Sequence, residues 1–362
     1  MSTFKHYISK VRQHGLRKSA EIALSRLSNK TYPSTINVEI MTVCNLKCRH
    51  CRVTYHDSEI PVQSMGFMEF DKFEEIAARI QKLIKHANVF QFSTIEPMFH
   101  KDLFKMMDVV SSYNPSISFP MLSNGLTFTE KKVNELLARN VPVISISIDG
   151  TTKEVVESFK TGIDFDKLIN KIKMFREKTH GKISMEAVFV STRQNIHQLV
   201  DYPEFVEKLG FDTININGFL ANHADMANLY LYSEIGNNEV EEIYQCVIEK
   251  CHKLGLKLLI PSLKTEPIGC GLSSYMYIGE AGDVSPCVFL ARQTPLELFS
   301  KTTVTDPVIW GNVLKQDPLT LWNEKNYSTF RNKLSSRNIP DPCKLCADAY
   351  GVICSNRTVE DN

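Results

Sequence analysis

Between Thr35 and Asn217, short apolar runs alternate with longer stretches whose apolar residues recur at helical spacing. The runs TINVEIM (35–41), VFQFS (89–93), SISFPML (116–122), VPVISISI (141–148), ISMEAVFV (183–190) and TININ (213–217) are rich in β-branched and aromatic residues and predict strands. Residues 68–87 set Phe70, Phe73, Ile76, Ala77, Ile80, Leu83 and Ile84 on one helical face. Further helices are predicted near 101–112, 129–139, 166–178 and 195–209. Six βα-type units predict an α/β fold with a parallel sheet, open or curled into a partial barrel. Ligands of such sheets sit at the C-terminal strand ends. Ahead of this region, 4–28 reads as a helix with Phe4, Ile8, Val11, Leu16, Ala20, Leu24 and Leu27 near one stripe. Residues 1–30 carry seven Lys/Arg against one acid, Glu21, which suggests a solvated basic face, or else docking to an acidic partner or membrane surface. After about 261 the strands shorten (YMYI, 275–278) and Gly, Pro and Cys crowd in, as in a small domain held by a metal centre. The expected division is an N-terminal basic helix (1–33), a core barrel (34–262) and a C-terminal domain (263–362).

Composition narrows the function classes. Of 362 residues 43% are hydrophobic and 23% charged, enough for a sizeable core. The 42 Lys+Arg against 41 Asp+Glu leave a net charge of +1, which removes the case for bulk nucleic-acid binding. No apolar run reaches ~20 residues, so no transmembrane segment is expected. The start MSTFKHYISKVRQHG has no secretory h-region, and a cytoplasmic location is expected. In a reducing compartment ten cysteines are not five disulfides, so their spacing becomes the question.

The segment Thr42-Val43-Cys44-Asn45-Leu46-Lys47-Cys48-Arg49-His50-Cys51 follows the first strand and spaces three thiols as C-x3-C-x2-C. Three thiolates can hold three irons of a [4Fe–4S] cube, which leaves one iron free to chelate a small molecule. A structural zinc site needs a fourth ligand, for which His50 and His56 are near in sequence. TxxCNLKCRHC resembles the signature of the radical S-adenosylmethionine superfamily, over residues ~34–260. The resemblance implies a partial (βα)6 TIM-like barrel and a cluster whose unique iron binds the amino and carboxylate groups of S-adenosylmethionine. It also implies a 5′-deoxyadenosyl radical that abstracts hydrogen from a substrate, and a flavodoxin- or ferredoxin-type electron donor. Ser93-Thr94-Ile95-Glu96-Pro97 stands where relatives carry Gly-Gly-Glu-Pro; Glu96 and Pro97 are kept and both glycines are replaced. By the same resemblance, Thr94, Ile95, Glu96, Asn124 (in Ser123-Asn124-Gly125) and Ser147 (in Ser147-Ile148-Asp149-Gly150) are cofactor contacts. Lys160 stands where an Arg often reaches the carboxylate, and His50 where an aromatic residue lies against the adenine.

A second set follows: Cys270, then Gly282-x4-Cys287, then Cys343-Lys344-Leu345-Cys346 and Cys354, with WGNVLKQDPLTLWNEKNYSTFRNKL (310–334) between. This resembles the C-terminal iron–sulfur domain called SPASM, or its shorter twitch form. The full form has seven cysteines; five are present here, and Thr358 stands in place of a closing thiol. The resemblance implies one auxiliary [4Fe–4S] cluster on Cys270, Cys287, Cys343 and Cys346. Cys354 is an alternative ligand, a spare thiol, or a hydrogen donor near the substrate, and zinc is the alternative for Cys343 and Cys346. Cys246 and Cys251 lie on a helical segment and read as ordinary thiols.

A fully ligated auxiliary cluster moves electrons and does not bind substrate. The expectation is therefore net oxidation after hydrogen abstraction, of a sugar- or aminocyclitol-type small molecule, because 1–33 is short for a peptide-recognition module. Peptide maturation by cross-linking or epimerisation is the alternative, and a non-catalytic iron–sulfur protein is the reading of another class. In sulfatase-maturing relatives an Asp base follows the Cys of G-x4-C; Val288 stands here. His223, Asp225, Glu280 and Asp283 are eligible bases by type alone.

Overall fold

The computed structural model describes residues 31–48, 51, 66–93, 95–221, 224–299 and 301–352. The 4–28 helix, His50, His56, Thr94, His223 and Cys354 lie outside the described residues.

Among the described residues, seven strands appear in the barrel region: β1 (Thr35–Val38), β2 (Val89–Phe92), β3 (Met121–Ser123), β4 (Val143–Ser147), β5 (Ser184–Ser191), β6 (Thr213–Gly218) and β7 (Lys257–Leu259). Strands β3 to β7 pair in order and in parallel. Strand β1 pairs in parallel with β2, and an isolated parallel bridge between Val89 and Ser118 joins that pair to the approach to β3. The fold class is the one expected, an α/β partial barrel, but its wall has two more strands than six. One is β7, only three residues long and too short for a periodic signal. The other is β8 (Tyr275–Ile278), which pairs in parallel with β1. The YMYI run thus joins the sheet on the far side of β1. Beyond it, β9 (Asp283–Ser285) and β12 (Gly311–Asn312) extend the same sheet antiparallel, and β10 (Thr294–Leu298) with β11 (Lys301–Thr305) form a separate ribbon.

The helices cover one face of this wall. α1 (Phe70–His86) buries Phe73, Ile76, Ala77, Ile80, Leu83 and Ile84, as its spacing predicts. α2 (Leu103–Tyr113), α3 (Glu130–Leu137), α4 (Lys153–Phe159) and α5 (Phe165–Thr179) follow in turn. Thr129 and Asp164 cap α3 and α5 by accepting from Lys132 N and Lys167 N. α4 was not legible, because seven residues bury only Val156 and Phe159. The helix expected over 195–209 is split into a 3-10 turn (Ile196–Gln198) and α6 (Tyr202–Lys208), with Pro203 in the first turn of α6. Proline tolerates that place because its missing N–H has no intrahelical partner there. α7 (Asn238–Leu254) ends on Gly255 in the left-handed region, and α8 (Pro318–Asn323) and α9 (Lys325–Ser335) complete the C-terminal part.

Alternation along the strands decides what fills the barrel. Ile36, Val38, Phe90, Phe92, Ile144, Ile146, Met185, Ala187, Ile214 and Ile216 are buried in the main apolar core. The alternate positions Asn37, Glu39, Gln91, Ser145, Glu186 and Asn215 therefore face the lumen, which is polar.

Candidate cofactor sites and their relatives

The first thiol set lies on the loop that leaves the C-terminal end of β1. Cys44 Sγ accepts from Leu46 N at 3.4 Å, and Cys51 N donates to Cys48 O at 3.1 Å. Lys47 N donates to Thr161 O at 3.1 Å, which ties the loop to the segment after α4. Burial raises the thiols of Cys44 to about 11 and Cys48 to about 12. Proximity of Cys44, Cys48 and Cys51 to one another adds to both shifts, and nearby Lys160 opposes that of Cys48. Such thiols keep their protons at neutral pH unless a metal displaces them.

Glu96 is 1% exposed and its carboxylate is fully occupied. It accepts from Ser123 Oγ at 2.9 Å, Asn124 N at 2.6 Å and Thr127 Oγ1 at 2.8 Å. Burial raises its pKa, against these hydrogen bonds and nearby Lys132. In this geometry Glu96 brackets the turn carrying Asn124, whose Nδ2 reaches Asn45 Oδ1 at 2.8 Å and Cys44 Sγ at 3.7 Å. Gly125 in that turn has φ +79°, and a Cβ there would stand 2.5 Å from Leu168 Cδ1.

Directly before the two replaced glycine positions stands Ser93. It adopts φ 59°, a conformation usually left to glycine. Its Oγ accepts from Ile40 N at 2.9 Å and Met41 N at 3.1 Å, closing the end of β1 just before the cysteine loop. Its position directly after a strand, where a tight turn is needed, was the available signal. Ile95 follows at the next bend, half-buried.

Ser147 ends β4 half-buried, and its carbonyl accepts from Lys160 Nζ at 2.6 Å. Lys160 also lies 3.0 Å from Asp149 Oδ2, a contact whose direction is ionic and not that of an aligned hydrogen bond. Both side chains are buried, so Lys160 is committed to the protein in this geometry. Asp149 Oδ1 in turn accepts from Val190 N at 2.8 Å.

The second thiol set brings together residues up to 76 apart in sequence. Burial raises Cys270 to about 12 and pushes Cys287 and Cys343 higher still. Cys346 contributes to each of these shifts, and Cys270 and Cys287 also raise one another or Cys343. All four are therefore neighbours. Leu290, Phe330, Leu334, Ala349 and Trp310 wall them with apolar surface. Among the described residues no three His, Cys, Asp or Glu side chains close on one point as a single ion requires. A cube instead takes each thiolate at its own corner. Cys251 is buried and Cys246 half-buried on α7 with neither set.

One group was missed entirely by the sequence. Arg292 Nη2 donates to both carboxylate oxygens of Glu39, 253 residues away, inside the barrel. Tyr277 on β8 lies beside the pair and feels both charges. By register Cys287 lies near the start of β1 and Cys44 past its end, so this network stands between the two thiol sets. Of the eligible bases, Asp283 Oδ1 accepts from Asn312 Nδ2 at 2.9 Å and Glu280 lies at the β8–β9 turn.

A parallel half-barrel with three thiols at the end of its first strand and four more in a C-terminal extension defines an iron–sulfur enzyme scaffold. Residues 38–202 match the radical SAM superfamily and residues 270–347 match the iron–sulfur cluster-binding domain SPASM. The AdoMet-dependent heme synthase of Methanosarcina barkeri is 21% identical over 347 residues, spanning 89% of this chain and 90% of that protein. The mycofactocin maturase MftC of Mycobacterium tuberculosis is 21% identical over 49% of this chain and 43% of its own length. The crystal structure of Streptococcus suis SuiB bound to S-adenosylmethionine superposes with a TM-score of 0.61 at 15% identity, over 98% of this chain and 83% of SuiB. The chain belongs to the radical SAM superfamily and carries a C-terminal SPASM domain. Its cofactors are accordingly a [4Fe–4S] cluster with S-adenosylmethionine and auxiliary iron–sulfur. Among the described residues no helix is long and apolar enough to cross a membrane.

Proposed function

We propose that Cys44, Cys48 and Cys51 hold the S-adenosylmethionine-binding cluster, and that Cys270, Cys287, Cys343 and Cys346 hold one auxiliary [4Fe–4S] cluster. When bound, these groups supply a hydrogen-abstracting 5′-deoxyadenosyl radical and an acceptor for the electron released by net substrate oxidation. The observation that carries this reading is the convergence of four thiols in the second set, a complete protein ligand set suited to electron transfer.

The chain's own groups have separable tasks. Asn124, in the turn after β3, reaches the first thiol set, and Ser147 ends β4; both would orient the cofactor, with Glu96 holding the Asn124 turn. Lys160 supplies positive charge beside Cys48 while anchored on Asp149. The polar lumen, lined by Asn37, Gln91, Ser145, Glu186 and Asn215, suits a substrate rich in hydroxyl or amide groups. A sugar- or aminocyclitol-type molecule has that chemistry. Peptide maturation stays as the second reading, favoured by the likeness to the maturase MftC and to SuiB, a structure of which holds its precursor peptide. The donor is a flavodoxin- or ferredoxin-type protein. The non-catalytic reading, raised by the replaced glycines before Glu96, is tested by the same S-adenosylmethionine cleavage assay as the catalytic one.

Anaerobic reconstitution tests the assignment. About eight irons per chain are expected, and about four after replacing either thiol set with Ala. Dithionite reduction with S-adenosylmethionine should yield 5′-deoxyadenosine, and Cys44→Ala should abolish it. About four irons in the wild type, or no cleavage, would overturn the reading.

A further inference from the structure

Helix α9 presents Tyr327, Phe330, Arg331 and Leu334 on one buried face. Phe330 and Leu334 belong to the apolar wall around the second thiol set. An arginine on that face is unexpected. Arg331 is 7% exposed, and its guanidinium is stacked 3.6 Å from the Trp322 ring centroid and 4.5 Å from that of Tyr327. Its Nη1 has no hydrogen-bond partner. Among the described residues no carboxylate lies within ion-pair distance of it. Burial pulls its pKa down to about 10, so it is still a cation at neutral pH. A buried cation without an anion is costly, and stacking on two rings offsets only part of that cost.

The anion it lacks has a place next door. The second thiol set shares the apolar wall of this helix face, and Tyr327, whose ring packs on Arg331, also feels charge at Cys287. A [4Fe–4S] cube with four thiolates is dianionic when oxidised and trianionic after taking one electron. We propose that Arg331 is the counter-charge of the auxiliary cluster and holds its reduction potential up, through the Tyr327 ring and not by contact with the iron. The inference rests on the ligand assignment above for Cys270, Cys287, Cys343 and Cys346. Trp322 and Tyr327 serve to hold the guanidinium in place while adding no charge of their own.

The test is an EPR-monitored redox titration of full-length protein, in a background where Cys44, Cys48 and Cys51 are all Ala so that only the auxiliary cluster is read. Arg331→Met fills the slot between the two rings without charge, and Arg331→Lys keeps the charge. The midpoint potential should move to a more negative value in Arg331→Met and return most of the way in Arg331→Lys. An Arg331→Gln protein serves as a second neutral variant if the methionine protein does not fold, and should shift in the same direction. Equal midpoints in the parent and the neutral variants would overturn the inference, since a purely structural stack leaves the potential alone. Failure of the parent to assemble any cluster would overturn the ligand assignment, and this inference with it.

Discussion

At the residue scale, the groups that matter here are buried and charged, so their behaviour is set by what they touch. Glu96 accepts three hydrogen bonds within an apolar surround. Its folded-state pKa is raised by burial, so the sign of its pH effect is definite. Below the ordinary carboxyl range both folded and unfolded chains hold the proton, and the group contributes no pH dependence. As pH rises through that range the unfolded chain ionises first, and stability falls until the folded carboxyl also ionises. Urea denaturation of metal-free wild type and Glu96→Gln across pH 4 to 8 should show this fall in the wild type and its absence in the variant. Glu96→Ala should cost about 2–4 kcal/mol at any pH, since it strands a buried N–H and two hydroxyls. Lys160→Met leaves Asp149 charged and buried, and should cost about 3–5 kcal/mol. Lys160→Met with Asp149→Asn should recover most of that loss by the same measurement. The covalent spacing of Cys44, Cys48 and Cys51 made those ligand candidates readable from sequence. The commitment of Lys160 to Asp149 was not readable, because the same two residues allow either an ion pair or a free ammonium until their rotamers are packed.

At the element scale, turns and strand ends carry the tightest constraints. Gly125 needs a positive φ and has no space for a Cβ beside Leu168. Gly125→Ala should therefore cost about 1–3 kcal/mol and loosen the Asn124 turn. The check is denaturation together with the affinity of the reconstituted protein for S-adenosylmethionine, which should weaken in the same variant. Gly218 at the end of β6 is more severe, because a Cβ would lie 2.4 Å from the Val352 carbonyl oxygen, which also accepts from Gly218 N. Long periodic segments such as α1 were legible because six buried apolar residues repeat on one face. The three-residue β7 and seven-residue α4 were not, since neither is long enough for a period to repeat. Ser93 shows a different limit. Its residue type argues against a left-handed turn, and the two backbone donors just past β1, Ile40 N and Met41 N, that its hydroxyl accepts from make the conformation favourable.

At the scale of the whole molecule, the barrel and the cysteine-rich C-terminal part share one sheet and one buried ion pair. β8 supplies the parallel neighbour of β1, with Met276 and Ile278 fully buried in the main core. Arg292 then reaches from just beyond Cys287 to Glu39, which is 3% exposed. The change in texture after residue 261 suggested a small appended domain held by a metal centre; composition records the local scarcity of core residues but not which edge a strand will join. Two outcomes follow from the shared sheet. A double-mutant cycle of Glu39→Gln and Arg292→Gln, read by denaturation of the full chain, should give a coupling of about 1–3 kcal/mol. Each single variant should be worse than the double, since each leaves one charge buried alone. A chain cut after residue 262 should fail to fold, because β1 would become an open edge over an exposed apolar face. One cut after residue 279 keeps β8 and should regain native-like near-ultraviolet circular dichroism with only Cys270 left of the second thiol set. If the shorter chain proved as well folded as the longer, the barrel would be complete without β8. The Glu39–Arg292 pair and hydrogen bonds such as those from Arg79 Nε to Val313 O and from Gly218 N to Val352 O would then join the two parts.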